Sequence, residues 1–140
     1  MSSKHPYPYS LCYCSICLKT TGSGGFVINL NAQYDTLEVI GRKHITVYHA
    51  KIGDTTSPAE CHFCKHCSSN LWLYDARWPE LVHPFASAID SELPIPPERT
   101  HLMLASKASW VTPHIQKPDK QFDECPDESI AAGYQRLNLE

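Results

Sequence analysis

Long hydrophobic runs are missing from this 140-residue chain. No stretch approaches the roughly 20 apolar residues that a membrane-spanning helix needs. Residues 1–11 contain no apolar h-region of a secretory signal. No membrane partner is therefore expected, and the chain reads as intracellular and cytoplasmic. Basic runs are missing as well. The formal charge is -3 with histidines neutral, and no cluster of Lys and Arg is long enough to neutralise a series of phosphates, so nucleic acid is not an expected partner. Internal repeats and low-complexity segments are absent, and residues 1–140 read as a single domain. Long helical periodicities are scarce and prolines number eleven, which weighs against a helical bundle. The expected class is mainly β, with short strands joined by loops.

What is present begins with alternation. Phe26, Ile28 and Leu30 alternate with Val27 and Asn29, the pattern of a half-buried strand. It follows a turn, Thr21-Gly22-Ser23-Gly24-Gly25, which has no Gly-Lys-Ser/Thr ending and leads into a strand, so a phosphate loop is not the reading. Thr36 to Ile40 and Ile45 to Tyr48 alternate on either side of Gly41-Arg42-Lys43, which predicts a hairpin. Leu71 to Tyr74 reads as a strand with large side chains on both faces. Ser91 to Arg99, with Pro94, Pro96 and Pro97, reads as extended surface chain and a connector. After Pro126, Asp127 is placed to cap a short helix carrying Ile130, Tyr134 and Leu137 on one stripe.

Cysteine is concentrated. Six of the seven cysteines fall in two compact clusters, Cys12, Cys14 and Cys17, then Cys61, Cys64 and Cys67. In a reducing compartment clustered thiols stay available to metal, and an odd total disfavours a disulfide framework. The spacing Cys12-Tyr13-Cys14-Ser15-Ile16-Cys17 lets three sulfurs converge on one ion, leaving one tetrahedral position open as in catalytic zinc. Zn²⁺ with three thiolates carries net -1 and is a poor Lewis acid, but a substrate thiol bound there remains a nucleophilic thiolate. Such a site suits activation of a thiol more than activation of water. The competing reading is a closed zinc ribbon drawn from both clusters, and spacing alone does not separate the two.

The second cluster, Cys61-His62-Phe63-Cys64-Lys65-His66-Cys67, offers three sulfurs and two imidazoles. Its overlapping Cys-x-x-Cys pairs resemble a ferredoxin run, but Leu71 stands where the fourth cysteine belongs. A thioredoxin-like pair would need a βαβ context, and a zinc deaminase would need His-x-Glu, which the chain lacks. His62 and His66 flank the cluster as candidate ligands. His44, His49, His83, His101 and His114 read as ordinary polar histidines.

Three segments taken together carry a family resemblance: Cys12 to Gly22, His62-Phe63-Cys64 through Cys67 to Leu71-Trp72, and Ser106-Lys107 to Trp110-Val111. The chain resembles the glutathione-dependent formaldehyde-activating enzyme family, which also includes centromere protein V. The resemblance implies an Mss4-like β-tent fold of small antiparallel sheets and a carbon-sulfur lyase that joins formaldehyde to glutathione as S-hydroxymethylglutathione. It places a catalytic zinc on Cys12, Cys14 and Cys17, and half of a structural zinc site on Cys64 and Cys67. One or two zinc ions per chain follow. Family members usually open with a further strand and a Cys-x-Cys-Gly motif that completes the structural site, and this sequence does not show it. Either that zinc is lost, or Cys61, His62 or His66 substitutes, or the start lies upstream. Two further departures are Leu18 for a common arginine and Ser68 for a common glycine.

Two functions are weighed. The first is a zinc-dependent carbon-sulfur lyase acting on a small thiol such as glutathione. The second is a non-catalytic zinc module used for protein interaction. A sheet lacking its usual first strand leaves an edge that a second copy can cover, so a homodimer is a further expectation.

Overall fold

The computed structural model describes residues 5–21 and 23–139. It is mainly β, with eleven short strands and two short helices among the described residues. In a four-stranded sheet, β1 (Tyr9–Cys12) lies between β2 (Val27–Asn29) and β10 (Arg99–Leu102), and β11 (Lys120–Gln121) closes the outer side of β10. The second sheet has the order β3-β9-β8-β7-β4. Its strands are β3 (Ala32–Gln33), β4 (Ile45–Tyr48), β7 (Ala59–Cys64), β8 (Asn70–Asp75) and β9 (Leu81–Pro84). A separate ribbon pairs β5 (Lys51–Ile52) with β6 (Thr55–Thr56). The helices are α1 (Ser15–Thr20) and α2 (Ile130–Arg136). No helix among the described residues is long and apolar enough to cross a membrane.

The sheets are joined where the chain leaves β2. Leu30 N–H donates to the Pro84 carbonyl at 2.9 Å, and Asn29 bridges to Phe85. The first sheet packs its buried Tyr9, Leu11, Tyr13, Leu30 and Val111 into one apolar cluster. Ala32, Trp72 and Val82 form another on the second sheet. Between them sits a smaller cluster of Cys12, Val27 and Phe85, against which Cys14, Cys17, Leu73, Leu102 and Met103 pack. The first cysteine cluster is thus built into the seam between the sheets.

The predicted strands at Phe26 to Leu30, Ile45 to Tyr48 and Leu71 to Tyr74 are present. The glycine-rich turn closes on Gly25, whose φ of 101° and close approach to Val111, 2.2 Å from an added Cβ to Cγ2, leave room only for glycine. The predicted hairpin does not form. Tyr34–Thr36 is a 3₁₀ turn, and Leu37 and Val39 pack instead against the Trp72 and Val82 cluster. Ile45–Tyr48 pairs antiparallel with Cys61–Cys64. Burial of two apolar side chains on the β8–β9 face outweighs a local ladder.

The proline-rich segment is more than a connector. Leu93 packs on the first cluster, Pro96 and Glu98 are buried, and Tyr9 Oη donates to the Pro94 carbonyl at 2.6 Å. Arg99 already belongs to β10, which runs parallel to β1. The C-terminal helix is present, capped by Ser129, whose hydroxyl accepts from Ala132 N–H, rather than by Asp127. Ile130, Tyr134 and, just past its end, Leu137 are half-buried. Tyr134 docks it by donating to the His5 and Tyr7 carbonyls at 2.6 and 2.9 Å.

Candidate metal centre and active site

Two local geometries bring the first three thiols together. Cys12 ends β1, where the backbone is extended, so residues two apart project to one side and Cys12 and Cys14 face alike. Cys14 is also the N-cap of α1, with φ -68° and ψ 159°, and Cys17 lies one turn later on the same helix face. The Cys14 Sγ accepts from Cys17 N–H at 3.4 Å, and Leu18 N–H donates to the Cys14 carbonyl at 2.9 Å. Strand end and helix start share one residue.

The three Sγ atoms all lie within 4.8 Å of one another. Zn–S bonds of about 2.3 Å in tetrahedral geometry place sulfurs about 3.8 Å apart, so the donor set and its spacing fit a thiolate-ligated ion. Among the described residues no other group gathers three or more metal-ligating donors at this range. Within the trio each thiol shifts the others. Hydrogen bonds from Cys12 and Cys17, with the N–H groups of Cys17 and Ile16, hold the Cys14 thiol far below its usual range. Cys12 is pushed up by its contact with Cys14, and Cys17 by its contacts with Cys12 and Cys14, burial adding to both. The contacts thus favour ionisation at Cys14 and disfavour it at Cys12 and Cys17. A cation is the group that would let all three ionise.

The second cluster is arranged differently. Cys61 is buried on β7, opposite Leu73 of β8. Leu73 packs on the Cys12 cluster, so Cys61 projects from the face that looks toward the trio. Burial raises its thiol, and the negative charge of Cys14 adds to that rise. Cys64 ends β7, and Cys67 is exposed in the following turn with its Sγ 3.2 Å from the Ser69 hydroxyl. That turn is closed by Ser68 N–H on the Cys64 carbonyl at 2.8 Å, with Ser68 in the left-handed region at φ 62°. His62 stacks on Trp72 with ring centroids 4.7 Å apart, and its Nδ1 lies 3.3 Å from the Glu60 carbonyl. His66 Nε2 lies 2.8 Å from His44 Nδ1. Cys64 and Cys67 thus form a turn with no third donor gathered to them among the described residues, and His62 and His66 are engaged elsewhere.

Behind the trio lies a polar core that sequence reasoning missed. Tyr13, between two of the cysteines, is fully buried, as is His101 of β10. Burial pushes the Asp119 carboxyl up, but hydrogen bonds from His101 and from the Arg99 and Gln116 N–H groups outweigh it and keep it low. The ionised carboxylate accepts from His101 Nε2 at 2.9 Å, which leaves Nδ1 to accept from the Tyr13 hydroxyl at 2.9 Å. No local motif signals this chain. It exists because β1 and β10 pair in parallel with Leu11 opposite His101.

A model of the glutathione-dependent formaldehyde-activating enzyme family matches residues 1–105. The chain belongs to the glutathione-dependent formaldehyde-activating enzyme family. A protein of Halomonas elongata, named provisionally as a glutathione-dependent formaldehyde-activating enzyme, is 58% identical over 138 residues, which cover 99% of this chain and 88% of that protein. The family match contains both cysteine clusters and the cleft walls described below, but ends before Asp119 and α2. Within this formaldehyde-activating family member, the three-thiol seam is the place where donors for a metal meet.

Proposed function

We propose that this chain joins glutathione to formaldehyde at a zinc centre held by Cys12, Cys14 and Cys17, giving S-hydroxymethylglutathione and, in reverse, acting as a carbon-sulfur lyase. The observation that carries the reading is a group of three thiols within 4.8 Å of one another, with no fourth donor gathered to it among the described residues, in a chain of this family. Zinc held by Cys12, Cys14 and Cys17 would keep a substrate thiol ionised at neutral pH.

The chain's own residues do the rest. Cys14 is oriented by the first turn of α1, and Cys12 is fixed by its ladder to Leu102 and Val27. Phe85, Leu73, Leu102 and Met103 close the inner side with apolar surface, which limits water and strengthens electrostatics at the sulfurs. The glutathione sulfur attacks the formaldehyde carbon, one C–S bond forms, the carbonyl π pair moves to oxygen, and the proton lost from the thiol ends on that oxygen. No oxidant or reductant is required.

Proton NMR of formaldehyde with glutathione checks the reading. The zinc-loaded protein is expected to accelerate adduct formation, and Cys14→Ser is expected to lose both the acceleration and bound zinc while keeping its circular dichroism spectrum. Adduct formation by the wild type at the uncatalysed rate would overturn it.

A further inference from the structure

A cleft of about 500 Å³ with a mixed polar and apolar lining lies between the end of α1 and the start of β8. Its size is that of a small-molecule site. Its lining residues include Thr20, Thr21, Ser69 and Ser87, beside Leu71 and Ala88, and one acidic residue, Asp90. No Lys, Arg or His is among the residues lining it. The walls are tied together by Asn70, whose Nδ2 donates to the Thr20 carbonyl at 2.7 Å and to the Thr21 hydroxyl at 3.3 Å.

Both walls lead to the three-thiol group. Thr20 follows Cys17 by three residues on α1, about 4.5 Å along the helix axis. On the other side, Ser87 is two residues beyond Phe85, which packs against Cys12. A glutathione whose sulfur sits at the trio therefore has one end within reach of the cleft, since its sulfur and its α-ammonium are separated by on the order of 8 Å when extended. The cleft's charge then selects which end. A lone carboxylate among hydroxyl groups repels the glycine carboxylate and attracts an ammonium, while the hydroxyls are suited to the α-carboxylate beside that ammonium.

We propose that this cleft receives the γ-glutamyl end of glutathione, with the α-ammonium on Asp90, so that the chain selects thiols carrying a free amino group. The proposal deepens the functional reading above and rests on it for the placement of the sulfur. Asp90 is a binding residue, exposed at the surface and outside the packed clusters.

The test uses the zinc-loaded protein and two S-blocked ligands, S-methylglutathione and its N-acetyl derivative, which lacks the ammonium. By calorimetry, Asp90→Asn is expected to weaken S-methylglutathione about fivefold and the N-acetyl derivative not at all, with Asp90→Glu retaining most of the wild-type affinity. The KM for glutathione should rise by the same factor in Asp90→Asn. Equal affinity of wild type and Asp90→Asn for S-methylglutathione, equal weakening toward both ligands, or no binding by the wild type would overturn the cleft assignment. The two readings fail separately. Accelerated adduct formation with an inert Asp90→Asn removes the cleft and keeps the chemistry; Asp90-dependent binding without acceleration removes the chemistry and keeps the cleft.

Discussion

Tyr13 is a single residue between two metal-ligand candidates, and its hydroxyl is committed away from them, to His101. The bond holds the backbone between Cys12 and Cys14 against the interior, so the two thiols are presented from a fixed base. Tyr13→Phe removes the hydroxyl and leaves His101 Nδ1 buried without its partner. The expected loss is about 1–3 kcal/mol of stability, read by urea denaturation, because an unsatisfied buried acceptor forfeits its full desolvation. Ser68 makes the opposite case. It occupies φ 62°, where a Cβ costs roughly 1 kcal/mol and glycine costs nothing of the kind, so Ser68→Gly is expected to stabilise by about 0.5 kcal/mol after the entropy of the freer unfolded chain is subtracted. A thermal melt showing destabilisation would contradict it. The sequence already marked this position as a departure from the family pattern, and the backbone now gives the departure a physical cost.

At the scale of elements, β9 carries a pH dependence. His83 is half-buried on this strand with Nδ1 at 3.1 Å from the Leu30 carbonyl, and partial burial lowers its pKa, offset in part by that carbonyl and by Asp75. His62 on β7 is lowered by burial as well. A histidine with a folded pKa below its unfolded value of 6.5 binds fewer protons when folded, so its contribution to stability is complete above pH 6.5 and is lost as pH falls below it. The melting temperature is expected to fall as pH drops from 7 toward 5, and His83→Gln, whose amide can still donate to Leu30, is expected to flatten that slope. A slope unchanged in the variant would assign the effect elsewhere. Strands β4 and β8, which flank β7, were legible in the sequence because Ile45 to Tyr48 alternates and Leu71 to Tyr74 carries large side chains on both faces. Their partners were not. Whether Ile45 pairs with Thr36 to Ile40 or with Cys64 depends on where Leu37 and Val39 find apolar surface, and that surface is made by Trp72 and Val82 far along the chain. The first three thiols were legible because one strand end and one helix turn gather them locally. His101 and Asp119 were not, because Tyr13, the partner of His101 just past the end of β1, is 88 residues away and no periodicity records a parallel register.

For the molecule as a whole, the apolar packing and the metal-ligand candidates are separable. The first core holds Tyr9, Leu11, Tyr13, Leu30 and Val111, and the second holds Ala32, Trp72 and Val82, without any side chain of the trio. Only the small seam cluster shares Cys12 with them. The fold therefore has cores that do not depend on an ion, unlike small metal-dependent modules that unfold when chelated. Removing metal with a strong chelator is expected to abolish adduct formation while a cooperative melt persists at a lower temperature. Leu11→Ala should do the reverse, costing about 2–5 kcal/mol by opening a cavity in the first core while leaving metal bound in the folded fraction. Metal analysis together with calorimetry separates the outcomes. If chelation instead erases the melt, the three thiols are holding the two sheets together, and the open-site chemistry proposed for them loses its physical basis.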